Sequence, residues 1–303
     1  MDSVAAEIQT QEDTSVAENG KQAERLLREI EDRHMFLLAS EPTEMQILLR
    51  ACAAGQDQQL RSLLQEERYI TAALSYKKRH PYLPEFVTLS FMFEAATGVN
   101  SASLVLYLLG FAQQHGVALD ELIMRWSLLR ALATGNLDIL RAYVEAMPSC
   151  VNMSFSHAGD PLLQASSIMK YTDEGTTLAL IEYLLDKGAD PNRAPCQWFM
   201  RPGRHLYGAA QSSSVDVLAL LLRYGARIKG SGAVVRAAEC GRVDALEVLR
   251  EYGADLKEPR GPDIWLCHDP SERQQRAEET PVEAARREGK ENAVDWLTQN
   301  GGG

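Results

Sequence analysis

The sequence predicts an all-α protein, a curved solenoid of about seven helix pairs with irregular insertions between them. Three observations carry this expectation. Short Ala-rich segments recur along the chain, each followed by a turn and then by a run with Val and Leu at i, i+3 and i+4. Several of these runs close on Gly-Ala or Gly-Ala-Asp, as at 188–190, 225–226 and 253–255. The last unit opens on Thr280-Pro281, a pairing suited to a helix start.

The elements follow in order. Residues 1–20 are polar and aperiodic, so they read as a disordered acidic tail. Residues 21–43 read as an N-terminal capping helix, with Ala23, Leu26, Leu27, Ile30, Leu37 and Leu38 on one face. Thr43-x-x-Gln46 reads as a capping box that opens the first unit. The weaker units lie in 44–159: Ala51-Cys52-Ala53-Ala54-Gly55 before Leu60, Leu63 and Leu64, Ala95-Ala96-Thr97-Gly98 before 104–109, and Ala131-Leu132-Ala133-Thr134-Gly135 before Leu137 and Leu140. The strong units lie in 160–300. Asp160-Pro161-Leu162-Leu163 precedes 180–192, Ala209-Ala210 precedes 215–226, Ala237-Ala238 precedes 243–255, and Thr280-Pro281 precedes Trp296-Leu297. Insertions fall near 66–87, 146–159, 193–203 and 257–279.

One physical grammar explains the units. Proline is cheap in a first helical turn, where its missing N–H had no partner, and Ala pairs let a short first helix lie close to its neighbour. A glycine just past the second helix supplies the left-handed residue that ends it. Asp138, Asp216 and Asp244 each stand at the start of a second helix, where a carboxylate meets the positive end of the helix dipole. The pattern of Thr280-Pro281, the Gly241 and Gly289 turns and Gly188-Ala189-Asp190-Pro191-Asn192 resembles the ankyrin repeat. The resemblance implies a stack that binds a partner in its concave groove and through the loops between units. It also implies that His205, near the family's histidine position, makes a local hydrogen bond rather than binding a metal.

Composition narrows the function. The apolar share is 45%, the charged share 24% and the formal net charge -11, with most of the acidic excess in residues 1–45. No run approaches the roughly 18 apolar residues a membrane helix needs, and residues 1–7 carry no basic, apolar leader. A cytoplasmic or nuclear, membrane-free monomer is expected. An acidic chain without a basic stripe is poorly made for nucleic acid. The cysteines at 52, 150, 196, 240 and 267 are too scattered for a zinc knuckle or a redox pair. They read as reduced, packed thiols. Cys267-His268-Asp269 has triad residue types, but sequence neighbours do not converge on one substrate atom. No catalytic residue, cofactor or metal site is therefore expected.

The candidate partner-binding residues lie in insertions. Arg193 to Arg204 includes Trp198, Phe199 and Met200 beside Arg201 and Arg204, residue types enriched in binding hot spots. The same aromatics would equally serve by folding over the adjacent unit, and both readings stand at this point. Trp265, in Pro259 to Leu266, is a second candidate. The charged run 271–279 reads as solvated. The function expected is a non-enzymatic adaptor, scaffold or inhibitor holding a protein partner. The alternative is an enzyme or small-molecule binder with a pocket between the inserted loops.

Overall fold

A computed structural model describes residues 20–30, 32, 43–78, 85–123, 125–155, 159–167, 173–194, 203–261 and 270–302. The chain forms two compact units, one of Met1–Ala131 with Asp138–Met147, the other of Leu132–Leu137 with Pro148–Gly303. The described residues are helical, apart from turns and one pair of three-residue strands.

In the first unit, α1 spans residues 20–30 and buries Ala23, Leu26 and Ile30, spaced to lie on one face. Leu37 and Leu38, expected on the same face, lie outside the described residues. Leu26 rests on Gly98, where even a Cβ would approach its methyl carbon to 2.6 Å. Glu29 of α1 pairs with Arg130 at 3.1 Å. Helices α2 (Thr43–Ala53), α3 (Asp57–Leu63) and α4 (Glu67–Leu74) follow. Helix α2 begins at Thr43, whose side chain, on which the expected capping box turns, lies outside the described residues. Strands β1 (Tyr76–Lys78) and β2 (Glu85–Val87) pair antiparallel, with Tyr76 opposite Val87. The 66–87 insertion thus holds a helix and a strand pair, which a purely helical expectation omitted. Its cue was β-prone Phe86 and Val87 ahead of the helix.

Helix α5 (Thr88–Gly98) is the centre of this unit and is buried from Thr88 to Thr97. It packs on α2, α4 and α6 (Ala102–Gln114), and two of its buried hydroxyls bond nearby carbonyls. Ser90 donates to the Val87 carbonyl at 2.7 Å, and Thr97 donates to the Phe93 carbonyl at 2.8 Å. Helices α7 (Leu119–Leu122), α8 (Arg125–Thr134) and α9 (Leu137–Ala146) complete the series, and Tyr143 of α9 stands 2.5 Å from the Thr97 hydroxyl.

The second unit starts with a 3₁₀ turn at Pro148–Asn152, inside the 146–159 insertion. Then come α10 (Pro161–Ser167), α11 (Glu174–Asp186), α12 (Arg204–Ser212), α13 (Val215–Arg223), α14 (Ala233–Glu239), α15 (Val243–Glu251), α16 (Pro270–Glu278), α17 (Pro281–Arg287) and α18 (Glu291–Gln299). The first helices pack in succession, α10 on α12, α12 on α14 and α14 on α17. The second helices do likewise, α11 on α13, α13 on α15 and α15 on α18, and each pair packs internally. Between the layers lie Leu184, Leu218, Leu221, Leu246, Leu249 and Leu297, all fully buried.

The helix ends show why these residues form these elements. Asp160, Asp173, Ser214 and Thr280 each accept a backbone N–H in the first turn that follows them. Thr280 and Glu283 form a full capping box. Helices α11, α13 and α15 close identically on Gly188, Gly225 and Gly253, with φ of 90°, 84° and 82°. In each the following alanine donates back to a core leucine, Ala189 to Leu184, Ala226 to Leu221 and Ala254 to Leu249.

Candidate partner-binding surface

Of the sequence-nominated residues, Trp198, Phe199, Met200, Arg201 and Trp265 lie outside the described residues, and Arg204 lies within them. Arg204 is the first residue of α12, and its guanidinium sits 4.5 Å from the centre of the Tyr207 ring one turn on. Arg236 of the neighbouring α14 approaches the same ring to 5.4 Å. One tyrosine therefore gathers two cations from adjacent helices. Arg236 also donates through Nε to Gln211 at 3.2 Å and through Nη1 to Glu239 at 3.0 Å.

Both ends of the 193–203 insertion are fixed. Arg193 donates to the Asn152 carbonyl, so it ties the start of the insertion to the preceding turn. Gly203 has φ 83°, and a Cβ there would stand 2.9 Å from the Ser231 Cβ, so this turn is interlocked with the next one.

Beneath the arginines lies a buried charge network that sequence reasoning missed. Arg260 is wholly buried, donating to Glu239 at 3.1 Å through Nη1 and to Glu279 at 3.0 Å through Nη2. Arg287 pairs with Glu239 at 2.5 Å and with Glu279 at 2.6 Å. Burial by itself would raise the Glu239 carboxyl, but hydrogen bonds and charge from Arg260 and Arg236 outweigh it and hold the group below its ordinary range. The Arg260 N–H donates to the Glu279 carbonyl and the Gly261 N–H to the Ala277 carbonyl, which anchors this strand of chain along α16. The Pro259–Leu266 stretch contributes Arg260 to the interior, and its nominated Trp265 lies outside the described residues. One expectation is corrected here. The 271–279 run, read as solvated, ends in Glu279, whose side chain is 10% exposed and committed to Arg260 and Arg287. A signal existed: Arg236 and Glu239 are lone charges in the otherwise apolar Ala-Val-Val-Arg-Ala-Ala-Glu of α14. An open cleft of about 610 Å³ adjoins the network, lined by Gln275, Arg276, Glu278, Glu279, Glu283 and Arg287.

His205 is also buried. Its Nδ1 lies 3.1 Å from the Pro191 carbonyl and its Nε2 lies 3.0 Å from Asp160. A carbonyl only accepts, so Nδ1 donates there; Asp160 also accepts the Leu163 N–H, which sets this carboxylate between His205 and the first turn of α10. Cys52 and Cys150 are packed inside, and burial raises both thiols, Cys150 up to about 12. Such thiols are poor nucleophiles at neutral pH.

Among the described residues, no group of three or more His, Cys, Asp and Glu is placed to hold a metal ion. No described helix is long and apolar enough to cross a membrane. The arrangement is chemically suited to non-covalent recognition: guanidinium forks held over an aromatic ring on an open helical face. No protein-family model matches the chain, and no curated protein shows significant similarity to it.

Proposed function

We propose that the chain is an ankyrin-type repeat stack that binds a protein partner without acting on it chemically. The observation that supports this most directly is a pair of asparagine bridges. Asn152 donates to the Gly188 carbonyl, 36 residues on, and accepts from the Asp190 N–H. Asn192 donates to the Gly225 carbonyl, 33 residues on, and accepts from the Arg227 N–H. The same two bonds thus recur from turn to turn, at separations that match the ankyrin period of about 33 residues. Asp190 and Asp255 repeat a further detail, each accepting the N–H two residues ahead. Turns locked in this way hold their projecting loops in register, which suits a surface that grips an extended partner.

His205 fits the same reading, because it binds the start of the preceding unit rather than a substrate. The partner-binding residues are Arg204 with the insertion residues Trp198, Phe199, Met200 and Arg201, and Trp265 in the second insertion. The test is affinity capture on the full chain with mass spectrometry, followed by titration of the purified partner. Replacing Trp198 and Phe199 by alanine is expected to weaken that complex by about 2 kcal/mol or more, with an unchanged melting temperature. A lower melting temperature with intact affinity would assign these aromatics to covering the core and remove them from the site. Failure to find any saturable protein partner would sink the function itself.

A further inference from the structure

The two helical layers of the second unit carry opposite charge. Helices α11, α13, α15 and α18 hold nine carboxylates against two arginines. Helices α10, α12, α14 and α17 hold Arg204, Arg236, Arg286 and Arg287 against Glu239 and Glu283. Both of those carboxylates are already engaged. Glu239 is buried among Arg236, Arg260 and Arg287, and Glu283 takes the Thr280 hydroxyl at 2.7 Å and its N–H at 2.9 Å. Glu279 and Glu288, next to this face, are held by Arg287. On these first helices arginines outnumber carboxylates four to two, in a chain whose net charge is -11.

From this we infer that the first-helix face over α12 and α14 binds an acidic segment of a partner protein, a carboxylate bridging Arg204 and Arg236 above Tyr207. The inference rests on the partner-binding reading above and deepens it. Arg236 is the only residue of α14 that is not buried, so it alone decides what that helix presents. Its guanidinium is preset by Gln211, Glu239 and the Tyr207 ring, while its Nη2 has no hydrogen-bond partner among the described residues. A donor held in place loses little freedom on binding, and a charged Nη2–H makes a strong hydrogen bond to a carboxylate. A polyphosphate chain fits less well. It needs a continuous basic track, and the acidic second layer and the negative net charge oppose it.

Fluorescence anisotropy with the full chain tests this, using a fluorescein-labelled peptide repeating Glu-Glu-Leu, its counterpart repeating Lys-Lys-Leu, and a labelled oligothymidylate. The acidic peptide is expected to bind, more weakly as salt rises, and the other two are not. The variant R204E with R236K, which keeps a cation for Glu239 and so protects the fold, is expected to lose about tenfold or more in acidic-peptide affinity. R250A, on the opposite layer, is expected to bind like the wild type. Equal binding of both peptides, tighter binding of the oligonucleotide, or full affinity in a folded R204E/R236K variant would each overturn the inference. A captured protein partner indifferent to R204E/R236K would remove the acidic-segment assignment and leave the partner-binding function standing. Absence of any saturable protein binding would remove both.

Discussion

Replacing Arg260 by methionine removes one fully buried cation of similar length and leaves its carboxylate partners in place. Glu239 and Glu279 are 6% and 10% exposed, so neither recovers its solvation when the guanidinium goes. Removing one partner of a buried ion pair costs about 3–5 kcal/mol. Here Glu239 keeps Arg236 and Arg287, and Glu279 keeps Arg287, which places the cost at the lower end, about 3 kcal/mol. For a cooperative unit of this size that corresponds to a melting temperature lower by about 6–12 °C. Urea unfolding at several pH values separates the electrostatic part from lost packing. In the wild type the Glu239 carboxyl is held below its ordinary value of 4.5, so its stabilisation is complete above that pH and is lost as pH falls through the lower folded value. In Arg260→Met its strongest depressing partner is gone and burial pushes the carboxyl up. Acid then relieves the variant by neutralising a badly solvated charge. The stability gap between the two proteins is therefore expected to narrow as pH falls below 4.5. A cost under about 1 kcal/mol at neutral pH, or a gap that widens on acidification, would refute the network's assigned role.

Two further substitutions probe the repeat geometry. Gly203→Ala is expected to cost about 3 kcal/mol, because left-handed strain of about 1–2 kcal/mol adds to a clash with Ser231, whereas Gly225→Ala, with φ 84° and open space around it, pays only the strain. Equal costs in urea unfolding would show that Gly203 and Ser231 do not interlock. Leu221→Ala is expected to cost about 2–5 kcal/mol, and hydrogen exchange should quicken in α11 and α15 as well as in α13, which packs on both. Exchange quickened in α13 alone would deny coupling between neighbouring pairs.

The parts of the fold that were legible in the sequence are those fixed by local chemistry. Thr280 capping its helix, Gly188, Gly225 and Gly253 ending theirs, and Leu221 and Leu249 facing the core all follow from residue type and spacing over one or two turns. What was not legible depends on separations no local pattern encodes. Arg260 and Glu239 are 21 residues apart, and Arg287 reaches Glu239 across 48. A proline-flanked arginine reads as a surface loop until the fold closes over it. The asparagine bridges were half visible: Asn192 stood in the recognised Gly-Ala-Asp-Pro-Asn, but the turn it bonds has Lys229 at the matching place and takes part through the Arg227 N–H. For the candidate site, composition nominated Arg204, now placed at the start of α12, but not Tyr207 or Arg236, which come together with it only in the folded helices.

The charge pattern shows why a whole-chain balance is a weak guide to the partner. Carboxylates accumulate in the second helices partly for reasons of helix stability: Asp216, Asp244 and Glu291 sit in first turns, where the helix dipole favours them. They would be there whatever the protein binds. The first helices are too short and too closely packed for that. In α14, six of seven residues are buried, which leaves a single outward position. In α14 that position is an arginine, which also pairs with the buried Glu239 and so serves the fold as well as the surface. The net charge thus reports mainly on what stabilises the helices and keeps the chain in solution. The charged outward positions of α12 and α14, Arg204 and Arg236, carry the opposite sign, and on the proposed reading they face the partner.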